Sequence, residues 1–177
     1  MWYAQERLGP ERIKDLYPFR SIIDKGARIT LGSDFPVETL NPIAGFYAAV
    51  TRLAFDGTSP HGPEGWYAKL SCLLGYCANM LRFPDQRLTR DEALRGTLWT
   101  LQYLCASKLI GPLLGITIDP AWASFTEKDL GSLEVGKRAD FVVLSQDIMK
   151  VPVEQLMNTK VLATALDGEV VYGDITA

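Results

Sequence analysis

Residues 29–42, ITLGSDFPVETLNP, are the stretch whose reading decides how the rest of the chain is placed. Ile29 to Gly32 are apolar or β-compatible, and with residues 27 and 28 they predict a short buried strand that ends on a carboxylate. Pro36 restricts the residue before it to extended conformations and stops the strand. Asp34 is therefore expected at the strand's carboxyl end, where α/β folds collect their chemistry. Taken alone, a single Asp after a strand is more often a turn former or a helix cap than a catalyst. Beyond it, Asn41 reads as an N-cap and Pro42 as the first residue of a helix running to about Leu53.

Upstream, Leu16, Phe19, Ile22 and Ile23 fall at helical spacing and predict a helix from Glu11 to Lys25 closed by Gly26 as C-cap. Downstream, residues 56–65 carry Gly or Pro at five of ten positions and read as a loop that contains the chain's single histidine, His61. Thr89 and Glu92 have the spacing of a capping box at a helix start. Gly131 to Arg138, GSLEVGKR, comes close to a phosphate-binding loop. Arg138 stands where a Ser or Thr hydroxyl is needed, and a strand follows where a helix should, so the segment does not read as a nucleotide site. Residues 139–145 predict an apolar strand, residues 151–160 a short helix or turn, and residues 161–173 a β-hairpin turning at Asp167-Gly168.

With 47% hydrophobic residues among 177, the chain can form a core and is not disordered. A net charge of −3 and a pI near 5.2 give no footprint for nucleic acid or an anionic membrane. No run approaches the roughly 18 apolar residues of a membrane span, and Met1 does not open a signal peptide. These features point to a cytoplasmic protein. Cys72, Cys77 and Cys105 are odd in number and lack metal-site spacing, which leaves buried free thiols as their reading.

Three stretches together resemble one family. GARITLGSDFPVETLNPIAGFYAAVTR (26–52) is similar to the eighth-strand segment of the amidohydrolase superfamily, specifically the amidohydrolase 3 family. DLGSLEVGKRADFVVLSQDI (129–148) and VLATALDGEVVYG (161–173) resemble its closing segment, and residues 2–26 extend the likeness to the front. The resemblance implies an α/β fold: the last strand and helices of a metal-dependent hydrolase (β/α)8 TIM barrel over residues 1–130, and strands of a small β-sandwich domain over 131–177. It implies hydrolysis of a non-peptide carbon–nitrogen bond in a small amide-like substrate. Asp34 inherits two roles by position, ligand to a divalent metal, zinc by expectation, and base toward the attacking water. A metal lowers a bound water's pKa toward about 7, and a nearby carboxylate completes its activation. The likeness gives His61 no ligand role, treats Glu38 as a solvated loop charge and makes Asp140 part of a structural turn.

A catalytic zinc site needs about three protein ligands, usually with several His. One histidine in the whole chain cannot supply them, so the alternative reading is a catalytically incompetent, truncated or mispredicted chain that binds no metal by itself. Residues 68–83 and 97–116 interrupt the family pattern, hold all three cysteines and contain no Asp or Glu, where the chain's average predicts about four. They read as translated non-coding sequence in preference to buried helices. Without a barrel wall against them they would expose apolar surface, which predicts self-association and poor solubility.

Overall fold

The computed structural model describes residues 2–54, 56–58, 86–96 and 118–175. His61, the three cysteines, both acid-free segments and most of the Gly/Pro-rich loop lie outside the described residues.

The N-terminal helix is not one piece. Helix α1 spans Trp2–Arg12 and is broken inside at Gly9, with φ 73° and ψ 174°. A 3₁₀ turn, Ile13–Asp15, follows, and α2 covers only Phe19–Asp24. The expected helix over Glu11–Lys25 fails at Tyr17-Pro18. Proline has no N–H to donate and pushes its predecessor out of the helical region, and Tyr17 adopts φ 53°. The closing signal holds: Gly26 takes φ 81° and its N–H donates to Ile23 O at 2.7 Å.

Helix α3, Pro42–Thr51, begins as expected, with Asn41 Oδ1 accepting from the Ile43 N–H at 3.0 Å. It ends two residues before Leu53, because Arg52 turns left-handed at φ 60°. The Arg52 guanidinium is buried and donates to Tyr17 O at 3.0 Å, so the residue that ends α3 also pins the turn before α2. Burial, with Arg87 nearby, lowers its pKa to about 10.

Helix α4, Arg90–Gly96, starts on the expected capping box: the Thr89 N–H donates to Glu92 Oε2 at 2.8 Å and the Glu92 N–H to Thr89 Oγ1 at 3.2 Å. Helix α5, Ile118–Ala123, precedes the turns that lead into the sheet. Gly131 and Gly136 there adopt φ 92° and 95°, a backbone conformation that glycine takes without strain.

Strands β1 (Phe141–Leu144), β2 (Val161–Leu166) and β3 (Glu169–Gly173) form an antiparallel sheet in that order, with the 3₁₀ helix Val153–Asn158 between the first two. The Asp167-Gly168 turn has φ 51° and 84°, the paired positive values of a two-residue hairpin. Three contacts fix it to the preceding segment. Asp140 Oδ1 accepts from the Asp167 N–H, the Gly168 N–H donates to Ala139 O, and Arg138 makes two 2.7 Å bonds to the Asp167 carboxylate. Asp140 thus has the structural-turn role read for it. Among the described residues β3 pairs with β2 alone and is exposed along its length, an open sheet edge.

Most buried apolar side chains among the described residues form one cluster. Ile43, Phe46, Tyr47 and Ala49 of α3 pack with Ala93 and Leu94 of α4, Val142 and Leu144 of β1, and Leu88, Ile148 and Leu156. Alternation along β1 sends Val142 and Leu144 inward, and i, i+3, i+4 spacing does the same for α3. No helix among the described residues is long and apolar enough to cross a membrane.

Candidate active site

The residues before Asp34 do not form the expected strand. Leu31 alone makes a bridge, its N–H donating to Gly96 O at 2.5 Å, and its neighbours are irregular. A barrel strand requires hydrogen-bonding neighbours on both sides, and here the end of α4 provides the backbone acceptor. The approach is close: a Cβ on Gly96 would lie 2.9 Å from Ile29 O, so this position tolerates only a hydrogen. Ile29 and Leu31 still pack against the core, anchoring the segment from below.

Asp34 follows in a tight turn. The Val37 N–H donates to Asp34 O at 2.8 Å and the Glu38 N–H to Ser33 O at 3.1 Å, across a cis Phe35-Pro36 peptide. Asp34 itself has φ 49°, a conformation that Asp tolerates better than most residues. Its side chain is exposed, and no hydrogen bond or ion pair among the described residues engages the carboxylate. Next to it the Ser33 hydroxyl is buried without a hydrogen-bond partner among the described residues. Glu38 is exposed, in keeping with a solvated loop charge.

Three large apolar side chains share this loop and remain outside the core. Phe35 is 59% exposed, Val37 72% and Leu40 55%. The sequence shows their density around Asp34 but not their exposure. A second feature it did not flag lies on the other side of the segment: Asp119 of α5 is buried and sits 3.6 Å from both Arg28 and Arg95. It ties the chain entering the site to α4 and α5.

The residues described do not assemble a metal site by themselves. Among them no group of three or more His, Cys, Asp or Glu side chains converges. Asp34 can offer one carboxylate and can accept a proton, and that is the extent of the chemistry this arrangement holds.

Comparison with known proteins places these residues in context. The family model described as the Amidohydrolase family matches residues 1–100 and 115–172. The chain is 32% identical over 172 residues to the N-substituted formamide deformylase of Arthrobacter pascens, covering 97% of this chain and 23% of that protein. It is 29% identical over 168 residues to protein LONG AFTER FAR-RED 3 of Arabidopsis thaliana, covering 94% and 22%. It is 27% identical over 167 residues to protein YtcJ of Bacillus subtilis (strain 168), covering 94% and 24%. The chain spans about a quarter of the length of these relatives. No solved structure matches it.

Proposed function

The chain belongs to the amidohydrolase family, and from that premise we propose that it supplies the closing quarter of a cytoplasmic, metal-dependent hydrolase. In this reading residues 1–130 complete a (β/α)8 barrel, apart from two non-family insertions at 68–83 and 97–116, and residues 131–177 contribute to a small β-sandwich domain. The reaction is cleavage of a non-peptide carbon–nitrogen bond in a small amide-like substrate, with Asp34 as one ligand of a divalent metal, zinc by expectation, and as the base that takes a proton from the attacking water. The observation that carries it is the free, exposed Asp34 carboxylate, held in a hydrogen-bonded turn within the matched residues. The name of the Arthrobacter pascens relative makes an N-substituted formamide the first substrate to try.

A second reading concerns the 177 residues on their own. One histidine in the chain, against the several that a catalytic zinc site usually uses, favours a polypeptide that neither holds zinc tightly nor turns over substrate unaided.

Both readings are tested by a chimera in which this chain replaces the matching quarter of the deformylase. The chimera should hydrolyse an N-substituted formamide, and Asp34→Asn should lower its kcat by about a hundredfold or more. The isolated chain should show neither turnover with added zinc nor stoichiometric zinc after dialysis. Undiminished turnover in Asp34→Asn overturns the first reading, and turnover by the isolated chain overturns the second.

A further inference from the structure

We infer that Asp119 is a positioning residue for Asp34: its carboxylate clamps the segment that ends on Asp34 to α4 and α5. This rests on the role given to Asp34 above. Asp119 is 6% exposed and lies 3.6 Å from the guanidinium of Arg28 and 3.6 Å from that of Arg95. Three residues further along α5, Trp122 presents its ring to the Arg28 guanidinium at 5.0 Å. The Arg28 side chain is therefore held by two neighbours on one helical face, a carboxylate and an aromatic ring.

What the clamp holds is the approach to Asp34. Among the described residues the segment before Asp34 has a single backbone bridge, from the Leu31 N–H to Gly96 O. Arg28 stands three residues before Leu31, and Arg95 immediately before Gly96, so one carboxylate engages both partners of that bridge. Without it the register of the segment against α4 would rest on one backbone bond and the packing of Ile29 and Leu31. Two hydrogen bonds close residues 33–38 into one unit, so a slip at Leu31 carries the Asp34 turn with it. Stability alone is a poor reason for such a device. Its arginine side chains are 44% and 51% exposed, and Asp119 Oδ1 accepts no hydrogen bond among the described residues. Apolar contacts would fasten the same elements at least as well, and what a buried ion pair adds is a fixed relative position. Position matters to a reacting group, since a displacement of about 1 Å can lower a rate on the order of a hundredfold.

Hydrogen exchange of the 177-residue chain, followed residue by residue by NMR, reads the clamp independently of catalysis. Asp119→Asn keeps the side chain's shape and removes its charge. It should speed exchange of the Leu31 amide by about tenfold and leave the amides of β1 and β2 unchanged. Arg28→Met, at a side chain outside the core, should do the same, whereas Arg28→Lys should keep the exchange slow. In the chimera, Asp119→Asn should lower kcat by about tenfold or more with KM little changed. Added to Asp34→Asn it should lower kcat no further, because it acts through that carboxylate. A Leu31 amide that stays slow in both Asp119→Asn and Arg28→Met overturns the inference. So does acceleration spread equally over β1 and β2, an unchanged kcat, or a loss that adds in full to that of Asp34→Asn. The two claims fail separately. Full turnover in Asp34→Asn removes the role of Asp34 whatever the Leu31 amide does, and a slow Leu31 amide in the variants removes the clamp whatever Asp34 does.

Discussion

The α4 side of the molecule and the Asp34 turn lie only a hydrogen bond apart, at Leu31 and Gly96, yet they are built on opposite terms. Around α4 polar side chains hold one another and the backbone. Arg20 grips the Glu92 carboxylate with both guanidinium arms and reaches Arg87 O, and Gln86 exchanges two bonds with Ser21. Arg90 donates to Ile148 O and Val151 O across some sixty residues of chain. Around Asp34 the backbone is fastened while the side chains are left open: a free carboxylate and three exposed apolar groups. A region whose side chains hold one another is serving stability. One whose backbone alone is held leaves its side chains open to whatever approaches.

The contrast breaks most visibly in the shared core. Phe46→Ala removes a ring with no exposure at all and should cost about 3 to 5 kcal/mol in urea denaturation, enough to unfold a marginal domain. Next comes the Arg20–Glu92 pair. Glu92→Ala removes both the ion pair and half of the capping box, and about 2 kcal/mol of stability should go with it.

This carboxyl also gives the comparison a pH signature. The hydrogen bonds from Arg20 foremost hold its pKa down from 4.5 to about 2, against an opposing effect of burial. A lowered folded-state pKa means that the contribution is complete above about 4.5 and disappears as pH falls toward 2. Urea midpoints should therefore decline across that window, and Glu92→Gln should flatten the decline. Asn41→Ala, at the border of the two regions, should cost about 1 kcal/mol through the lost cap. Asp34→Asn should change stability least, by no more than about 0.5 kcal/mol, since its carboxylate holds nothing. A large loss there would erase the distinction between the regions.

Local chemistry was the part of the fold that could be read from the sequence. The Asp167-Gly168 turn, the Thr89/Glu92 box, the Asn41-Pro42 helix start and the Gly26 stop each depend on two to four adjacent residues, and each is present. What failed was regular structure that needs support from elsewhere. The segment at 27–32 had the composition of a strand, but composition cannot supply neighbours, and a single bridge remains. Helical periodicity runs through Glu11–Lys25, but Pro18 lacks the donor that a continuous helix needs, and the helix is broken there.

In the candidate site, the position of Asp34 at the end of its segment was legible, and so was the solvated state of Glu38. The exposure of Phe35, Val37 and Leu40 was not, since apolar residues in a sequence do not say whether a core will take them. Asp119, buried between Arg28 and Arg95, was equally hidden, because its partners are distant along the chain.

The hydrogen on Gly96 has a consequence for how this protein can vary. With Ile29 O 2.9 Å from where a methyl would sit, the alphabet at position 96 has a single letter. Any other residue must shove aside the backbone that leads to Asp34. A change at the end of the neighbouring helix would thus be felt at the carboxylate, as a displacement of its footing and not of its chemistry.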